Sequence, residues 1–453
     1  MFKSFFIPRL IEHLRNPLYF NGYFLTLSSV TTSLLGFAYW VFAARFYSAD
    51  IVGKNSSAIN AMLFLSGLAG LYLDGMMMRF LPRAGKKTPR LVGSVYLISA
   101  LVCLVVAIVF LLGLNIWFPA LGFLRDSPWV FWSFILAVIT GCIFELEDGA
   151  LIGLRQSRWV PLENTLYGVA KLALLVTFAV HLPIYGIYVS WVAPVVLVIL
   201  GVNWFIFRSF IPGHIQATVD VSEPVDTNHV IRFVASNYLG SLFNLAYMML
   251  PPLIVLQLLG SEASAYFYLP WVIASSLRTL ITNMGSSLTV EGSLNRAKLQ
   301  NYFRGVLLNT TGLLLPAILL MVVAAPVILS LFGKEYASQG TPLLRLLALG
   351  ALPSVVITLY LSFSRLQNWL NRIIAIHGAF ALLSLTLIIV LVPGLGITGV
   401  GVAWLITQFS IAAVIGLFHF RSALRMLMSI VQRPNRKPLV DLYQNPQNSV
   451  KDE

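Results

Sequence analysis

A dozen apolar stretches of about 20 residues each follow one another along this chain of 453 residues, parted by short polar connections. A helical residue rises about 1.5 Å and the hydrocarbon of a bilayer is about 30 Å thick, so each stretch has the length of one membrane span. Charged residues make up 10% of the chain and apolar ones 58%. Those charges could not cover the surface of a water-soluble protein of this size. The pattern predicts helices near 22–45, 56–79, 91–114, 129–154, 160–181 and 184–207. After a polar stretch it predicts six more, near 233–259, 264–290, 303–327, 343–363, 373–392 and 397–420. The seventh and eighth are diluted by Asn237, Asn244, Arg278 and Asn283. Phe2, Phe6, Leu10 and Leu14 stand at helical spacing beside Lys3, Arg9 and Arg15, which predicts a short interfacial helix and not a cleaved signal.

Lys and Arg set the expected direction. With both termini cytoplasmic, the opposite side keeps only Arg45, Lys54, Arg125, Lys334 and Arg345, while Lys171 and Arg278 lie inside spans. The other basic residues fall on the inner side, as the positive-inside rule requires. The net charge of +13 therefore marks the anionic inner leaflet, with its membrane lipids as partners, and no nucleic acid is expected. The two cysteines, Cys103 and Cys142, fall within spans and read as small packing residues.

The longest polar connection, 208–232, splits the spans six and six. Pro183-Ile184-Tyr185-Gly186-Ile187 and Pro393-Gly394-Leu395-Gly396-Ile397 occupy matching places in the two halves, as do Asn21-Gly22-Tyr23 and Asn237-Tyr238-Leu239. The shift is about 210–216 positions throughout, the mark of a duplication. Six spans is an even number, so both halves enter from the same side and form a parallel repeat, an architecture that places substrate between two bundles. The expected organisation is an N-terminal lobe over 1–207, a cytoplasmic linker over 208–232, a C-terminal lobe over 233–420 and a cytoplasmic tail over 421–453.

Particular motifs carry a resemblance. Asn16-Pro17-Leu18-Tyr19 leads into the first span, which ends in Ala43-Ala44-Arg45-Phe46-Tyr47-Ser48-Ala49-Asp50-Ile51-Val52-Gly53. Later come Leu331-Phe332-Gly333-Lys334-Glu335-Tyr336-Ala337 and Gly394-Leu395-Gly396-Ile397-Thr398-Gly399-Val400-Gly401. From about 16 to 420 the chain resembles the polysaccharide-transport proteins, the Wzx-like flippases of the superfamily that also holds the MATE exporters and the lipid II flippases. The resemblance implies two six-helix lobes forming a V, alternating access, and a polyprenyl-pyrophosphate-linked glycan as cargo. It implies the cytoplasmic membrane as location and a polysaccharide polymerase among the partners. It also makes Arg45 a candidate at the outer gate and for substrate binding.

Charges within spans carry the expected chemistry, since each costs several kcal/mol if it faces lipid. Lys171 and Arg278 come from opposite halves at a similar depth, which suits them to a pyrophosphate headgroup. Arg grips two phosphate oxygens, while Lys acts as a point charge. A competing expectation pairs Lys171 with Glu145 as a buried ion pair. Glu145 and Asp148 share a helix face, and with Glu163 and Asp74 they are candidates for binding a coupling ion, either H⁺ or Na⁺. The competing expectation there is pairing with Arg155 and Arg158.

Gly85-Lys86-Lys87-Thr88 lacks the upstream glycine of a P-loop and carries Lys where the Ser/Thr belongs, so no nucleotide site is expected. The six histidines are scattered and no metal or cofactor is expected. No outer loop is long enough to carry an acid/base pair, so the chain does not read as an enzyme. The alternative reading is a MATE-like, ion-coupled exporter of small organic cations, against which two central cations argue.

Overall fold

The computed structural model describes residues 17–218, 227–294 and 299–419. The expected interfacial helix at 2–14, the tail over 421–453 and the middle of the linker lie outside these residues.

The described chain is helical throughout, and its long helices bear out the expected spans. We label them α1 (Pro17–Phe46), α2 (Ala49–Ala69), α3 (Leu73–Phe80), α4 (Thr88–Leu112), α5 (Pro128–Gly153), α6 (Trp159–His181) and α7 (Gly186–Ala217). The second half holds α8 (Thr227–Leu259), α9 (Ser261–Leu294), α10 (Leu299–Ser330), α11 (Lys334–Leu366), α12 (Leu370–Leu395) and α13 (Thr398–Val414). Among the described residues 9 helices are long and apolar enough to cross a membrane, or 10 counting α2 and α3 as one bent span. The long helices α1 and α9 join them in the same bundle. The chain is a multi-pass membrane protein.

Helix pairing repeats between the halves. In the first, α1 packs on α6, α6 on α7, α4 on α5, and α2 and α3 on α5. In the second, α8 packs on α12, α12 on α13, α10 on α11, and α9 on α11. These are matching pairs in a parallel repeat, so the molecule is two six-span lobes. The lobes meet chiefly where α2 lies against α8 and α9.

Two departures from the sequence reading concern shape. The second expected span is not one rod. It breaks by 48° between α2 and α3, where Leu71 (φ 53°) and Tyr72 (φ 60°) adopt the left-handed region. Side chains other than Gly pay for that region in strain, so surrounding packing holds it. Further on, α11 starts well before residue 343 and has a hitch at Gly350. Pro353 explains it, since its ring removes the hydrogen bond to Leu349. The start of the linker is also ordered, because α7 continues through a π-helical turn at Ile206–Phe210 to Ala217.

Candidate functional site

Lys171 projects from the middle of α6 and is 8% exposed. Its ammonium lies 3.9 Å from the ring centre of Trp191, 4.7 Å from Tyr167 and 5.3 Å from Tyr39. Three helices contribute these rings. Tyr167 sits one turn before Lys171 on α6, Tyr39 comes from α1 and Trp191 from α7. The tyrosines are fixed by their hydroxyls. Tyr39 lies 2.8 Å from the Ile187 carbonyl and 2.9 Å from the Ser190 hydroxyl, and Tyr167 donates to the Trp191 carbonyl at 3.2 Å. Ring faces carry negative charge, so the box stabilises the cation without a carboxylate.

The expected Glu145–Lys171 pair does not form: Lys171 has no ion pair among the described residues. The reason is rotational. α6 packs on α1 and α7 along its length and touches α5 only slightly, so Lys171 faces the aromatic side. Glu145, on α5, is exposed.

Arg278 stands on α9 in different surroundings. It lines a small, partly open pocket with Trp271, Ser275, Ser354, Trp404 and Gln408, and no carboxylate belongs to the lining. The guanidinium carbon is 5.9 Å from the ring centres of both Trp271 and Trp404, which meet edge to face at 5.0 Å. Gln408 keeps its side-chain oxygen buried with no partner. Arg278, one of the polar residues that diluted the eighth span in the sequence, is thus the pocket's cation.

An aromatic path joins the two cations across the lobes. Trp191 neighbours Trp40 at 5.9 Å, and Trp40 meets Tyr268 of α9 edge to face at 4.7 Å. Tyr268 is one helical turn from Trp271.

Arg45 lies elsewhere. At the end of α1 its guanidinium donates to the carbonyls of Leu331 at 2.8 Å and Ser330 at 3.1 Å, in the opposite lobe. It belongs to a set of contacts that closes this end of the molecule. Ser261 donates to Asp50, which also pairs with Lys54 at 2.8 Å. Ser57 and Ser264 hydroxyls are 3.0 Å apart. Gly53 lets α2 approach the Ser261 carbonyl so closely that a Cβ there would collide with it. At the other end α8 remains against the first lobe, with Tyr238 donating to the Leu68 carbonyl at 2.9 Å and Arg79 4.6 Å from the Phe233 ring.

The acidic candidates gather in the first lobe. Asp74 begins α3, and Gly149 of α5 lies against its backbone, where a Cβ would sit 2.9 Å from the Asp74 Cα. Glu145 and Asp148 are within electrostatic reach of Asp74. Glu163 is 1% exposed and neighbours Glu147, which is fully buried. Glu147 is not among the coupling-ion candidates read from the sequence. None of Glu145, Glu147, Asp148 and Glu163 forms an ion pair with Arg155 or Arg158 among the described residues. Nor does any group of three or more His, Cys, Asp or Glu side chains among those residues converge as metal ligands would.

No family model matches the sequence, and no curated protein matches it. Solved structures do match. One is an inward-facing multidrug-resistance MATE transporter of the MOP superfamily, at TM-score 0.66 and 13% identity over 89% of this chain and 96% of the other. A second is the lipid II flippase MurJ in an inward closed conformation, at TM-score 0.67 and 12% identity over 94% and 93%. A third is a MOP superfamily transporter from Pyrococcus furiosus whose binding pocket is described as reversed in polarity, at TM-score 0.63 and 13% identity over 89% and 93%. The chain has the MATE-like fold of MOP superfamily transporters, and at these identities the likeness is one of fold.

Proposed function

We propose that the chain is a flippase. It carries a polyprenyl-pyrophosphate-linked oligosaccharide from the inner to the outer leaflet of the cytoplasmic membrane by alternating access, for assembly of a cell-surface polysaccharide. Both termini are then cytoplasmic, and the contacts around Arg45 and Asp50 close the outer end. The observation that supports this reading is Arg278: a cation on the wall of a pocket with no carboxylate to neutralise it. A half-buried charge within a span and without a counter-charge is costly, so a site of this kind is best satisfied by an anion that arrives and leaves. The fork of Arg278 suits two phosphate oxygens. Trp271 and Trp404 hold the fork from one side, and Gln408 keeps an unpartnered acceptor in the same lining. Lys171 adds a positive field from the other lobe without leaving its box. Arg45 acts at the outer gate.

Asp74, Glu145, Asp148 and Glu163 supply the coupling-ion site in this reading. The same acids favour the second reading, a MATE-like exporter of organic cations, because exposed Glu145 beside Asp74 offers negative charge to such cargo.

One reconstitution separates the two. Purified protein in proteoliposomes is given an undecaprenyl-pyrophosphate oligosaccharide, and an impermeant reagent reports its arrival in the opposite leaflet. Movement above empty liposomes is the expected result. Gradient-driven uptake of a cationic dye without glycan movement would reverse the assignment.

A further inference from the structure

Two helices of the first lobe end their membrane faces in the same way. On α4, Leu97 and Leu101 are exposed, and Arg90, seven and eleven residues before them, stands on the same side of the helix. On α7, Leu197, Leu200 and Trp204 form an exposed stripe, and exposed Arg208 follows Trp204 one turn later. Each apolar stripe therefore finishes in an arginine at the end of the molecule remote from Arg45.

The two stripes come together there. The ring centres of Phe207 and of Tyr96 on α4 are 6.4 Å apart, and the continuation of α7 over Ile211–Ala217 packs on α4 and on the turn Gly85–Lys87. His214 holds this contact, with Nε2 3.1 Å from the Leu81 carbonyl. The turn is set by Gly85 in the left-handed region (φ 51°), and the Thr88 hydroxyl donates to the Gly85 carbonyl at 2.7 Å. That shape leaves Lys86 and Lys87 exposed next to Arg90. The Gly85-Lys86-Lys87-Thr88 motif, which fails as a nucleotide loop, thus becomes one wall of a basic rim.

The protein brings no counter-charge to this rim. Neither 81–112 nor 186–217 contains Asp or Glu, and none of Lys86, Lys87, Arg90 and Arg208 forms an ion pair among the described residues. Aromatic rings stand at the same level, where Trp159 meets Phe205 at 5.1 Å and Phe210 at 5.4 Å. Such rings belong at lipid headgroups. Here α7 also passes through its π-helical turn, a feature common at functional sites.

We propose that this rim binds an anionic phospholipid. Lys86, Lys87, Arg90 and Arg208 receive the phosphate, and the acyl chains lie along the apolar stripes of α4 and α7. A basic pocket between spans at the cytoplasmic side is the setting in which anionic headgroups are held. The stripes favour a lipid over free phosphate, which has no chains to lay on them. The site is separate from the pocket of Arg278, which lies in the other lobe, and does not depend on the cargo. A lipid seated between the turn and the continuation of α7 holds His214 against Leu81, at the inner end of the broken span.

The test uses the full chain with p-benzoylphenylalanine in place of Phe207. It is placed in bilayers of phosphatidylcholine with a small share of phosphatidylglycerol in both leaflets, so neither orientation nor glycan enters. Irradiation followed by mass spectrometry should recover phosphatidylglycerol several-fold above its share of the bilayer. Lys86→Gln, Lys87→Gln, Arg90→Gln and Arg208→Gln together should return capture to that share. Arg155→Gln with Arg158→Gln, which removes two other exposed cations, should leave the excess intact. Phosphatidylglycerol should also raise the melting temperature of the wild type in detergent and not that of the fourfold variant. Capture at the bilayer share in the wild type, an unchanged excess in the fourfold variant, or an equal loss in the Arg155 and Arg158 variant would overturn the site. Displacement of the lipid by millimolar inorganic phosphate would overturn the lipid as its occupant.

Discussion

Lys171 and Arg278 carry the same charge in opposite lobes, yet they are housed in opposite ways. The lysine is enclosed by three rings whose hydroxyls or backbone neighbours hold them in place. The arginine is half-buried on the wall of a pocket, with two tryptophans at its edge and no counter-charge in the lining. One charge is stored and the other is offered. A caged ammonium contributes a field that its surroundings do not surrender, whereas a guanidinium on a pocket wall can form and release bonds with passing phosphate. The lobes differ further in their acids, since the buried cluster around Glu147 and Glu163 lies wholly in the lobe of the caged lysine.

The comparison is sharpened first by freezing the lobes. The Ser57 and Ser264 hydroxyls are 3.0 Å apart, so Ser57→Cys with Ser264→Cys should form a disulfide on oxidation, abolish transport, and restore it on reduction. Rapid transport by the oxidised pair would mean that this end need not open.

Arg278→Ala should come next, with transport reduced roughly ten- to a hundredfold, since bonds to charged groups are worth about 1.5–3 kcal/mol. Arg278→Lys should recover part of it, because charge returns without the fork. Initial flipping rates at matched protein density provide the check, and a wild-type rate in Arg278→Lys would show that the fork is irrelevant.

Lys171→Met should act more weakly on transport and leave thermal stability unchanged or raised, since an apolar side chain of similar volume often replaces a buried charge without loss. A steep fall in melting temperature would show that the cage needs its cation for folding. The smallest effect belongs to Arg45→Ala. Its two bonds run from an exposed residue to backbone carbonyls, so the loss should be about 1 kcal/mol or less. Distance measurements between labels on the two lobes should show a modest shift towards an open outer end.

Much of the fold was legible in the sequence because apolar length and repeat spacing report directly on the bilayer. The helices appear where hydropathy put them, and Lys171 and Arg278 stand within their spans as read. What the sequence withheld was rotation. Nothing in the order of residues tells whether Lys171 faces Glu145 on the preceding helix or Trp191 on the following one, and Tyr39 comes from a helix distant in the chain. Glu147 was left out of the coupling candidates for a related reason. Glu145 and Asp148 share a face by their spacing of three, and Glu147 lies about 100° round the helix from Asp148, towards Asn203 and Glu163. The break at Leu71 and Tyr72 carries neither Gly nor Pro at the strained positions, so tertiary packing alone could have revealed it. The hitch in α11 was foreshadowed by Pro353.

The most direct measurement compares wild type with the Arg278→Ala, Lys171→Ala double variant in proteoliposomes, using one oligosaccharide on a pyrophosphate carrier and the same oligosaccharide on a neutral carrier. The account predicts that the wild type flips the pyrophosphate-linked form far faster, and that the folded double variant loses that preference together with the activity. Normal flipping of the pyrophosphate-linked glycan by the double variant would contradict the claim that Arg278 receives the headgroup in a field to which Lys171 adds.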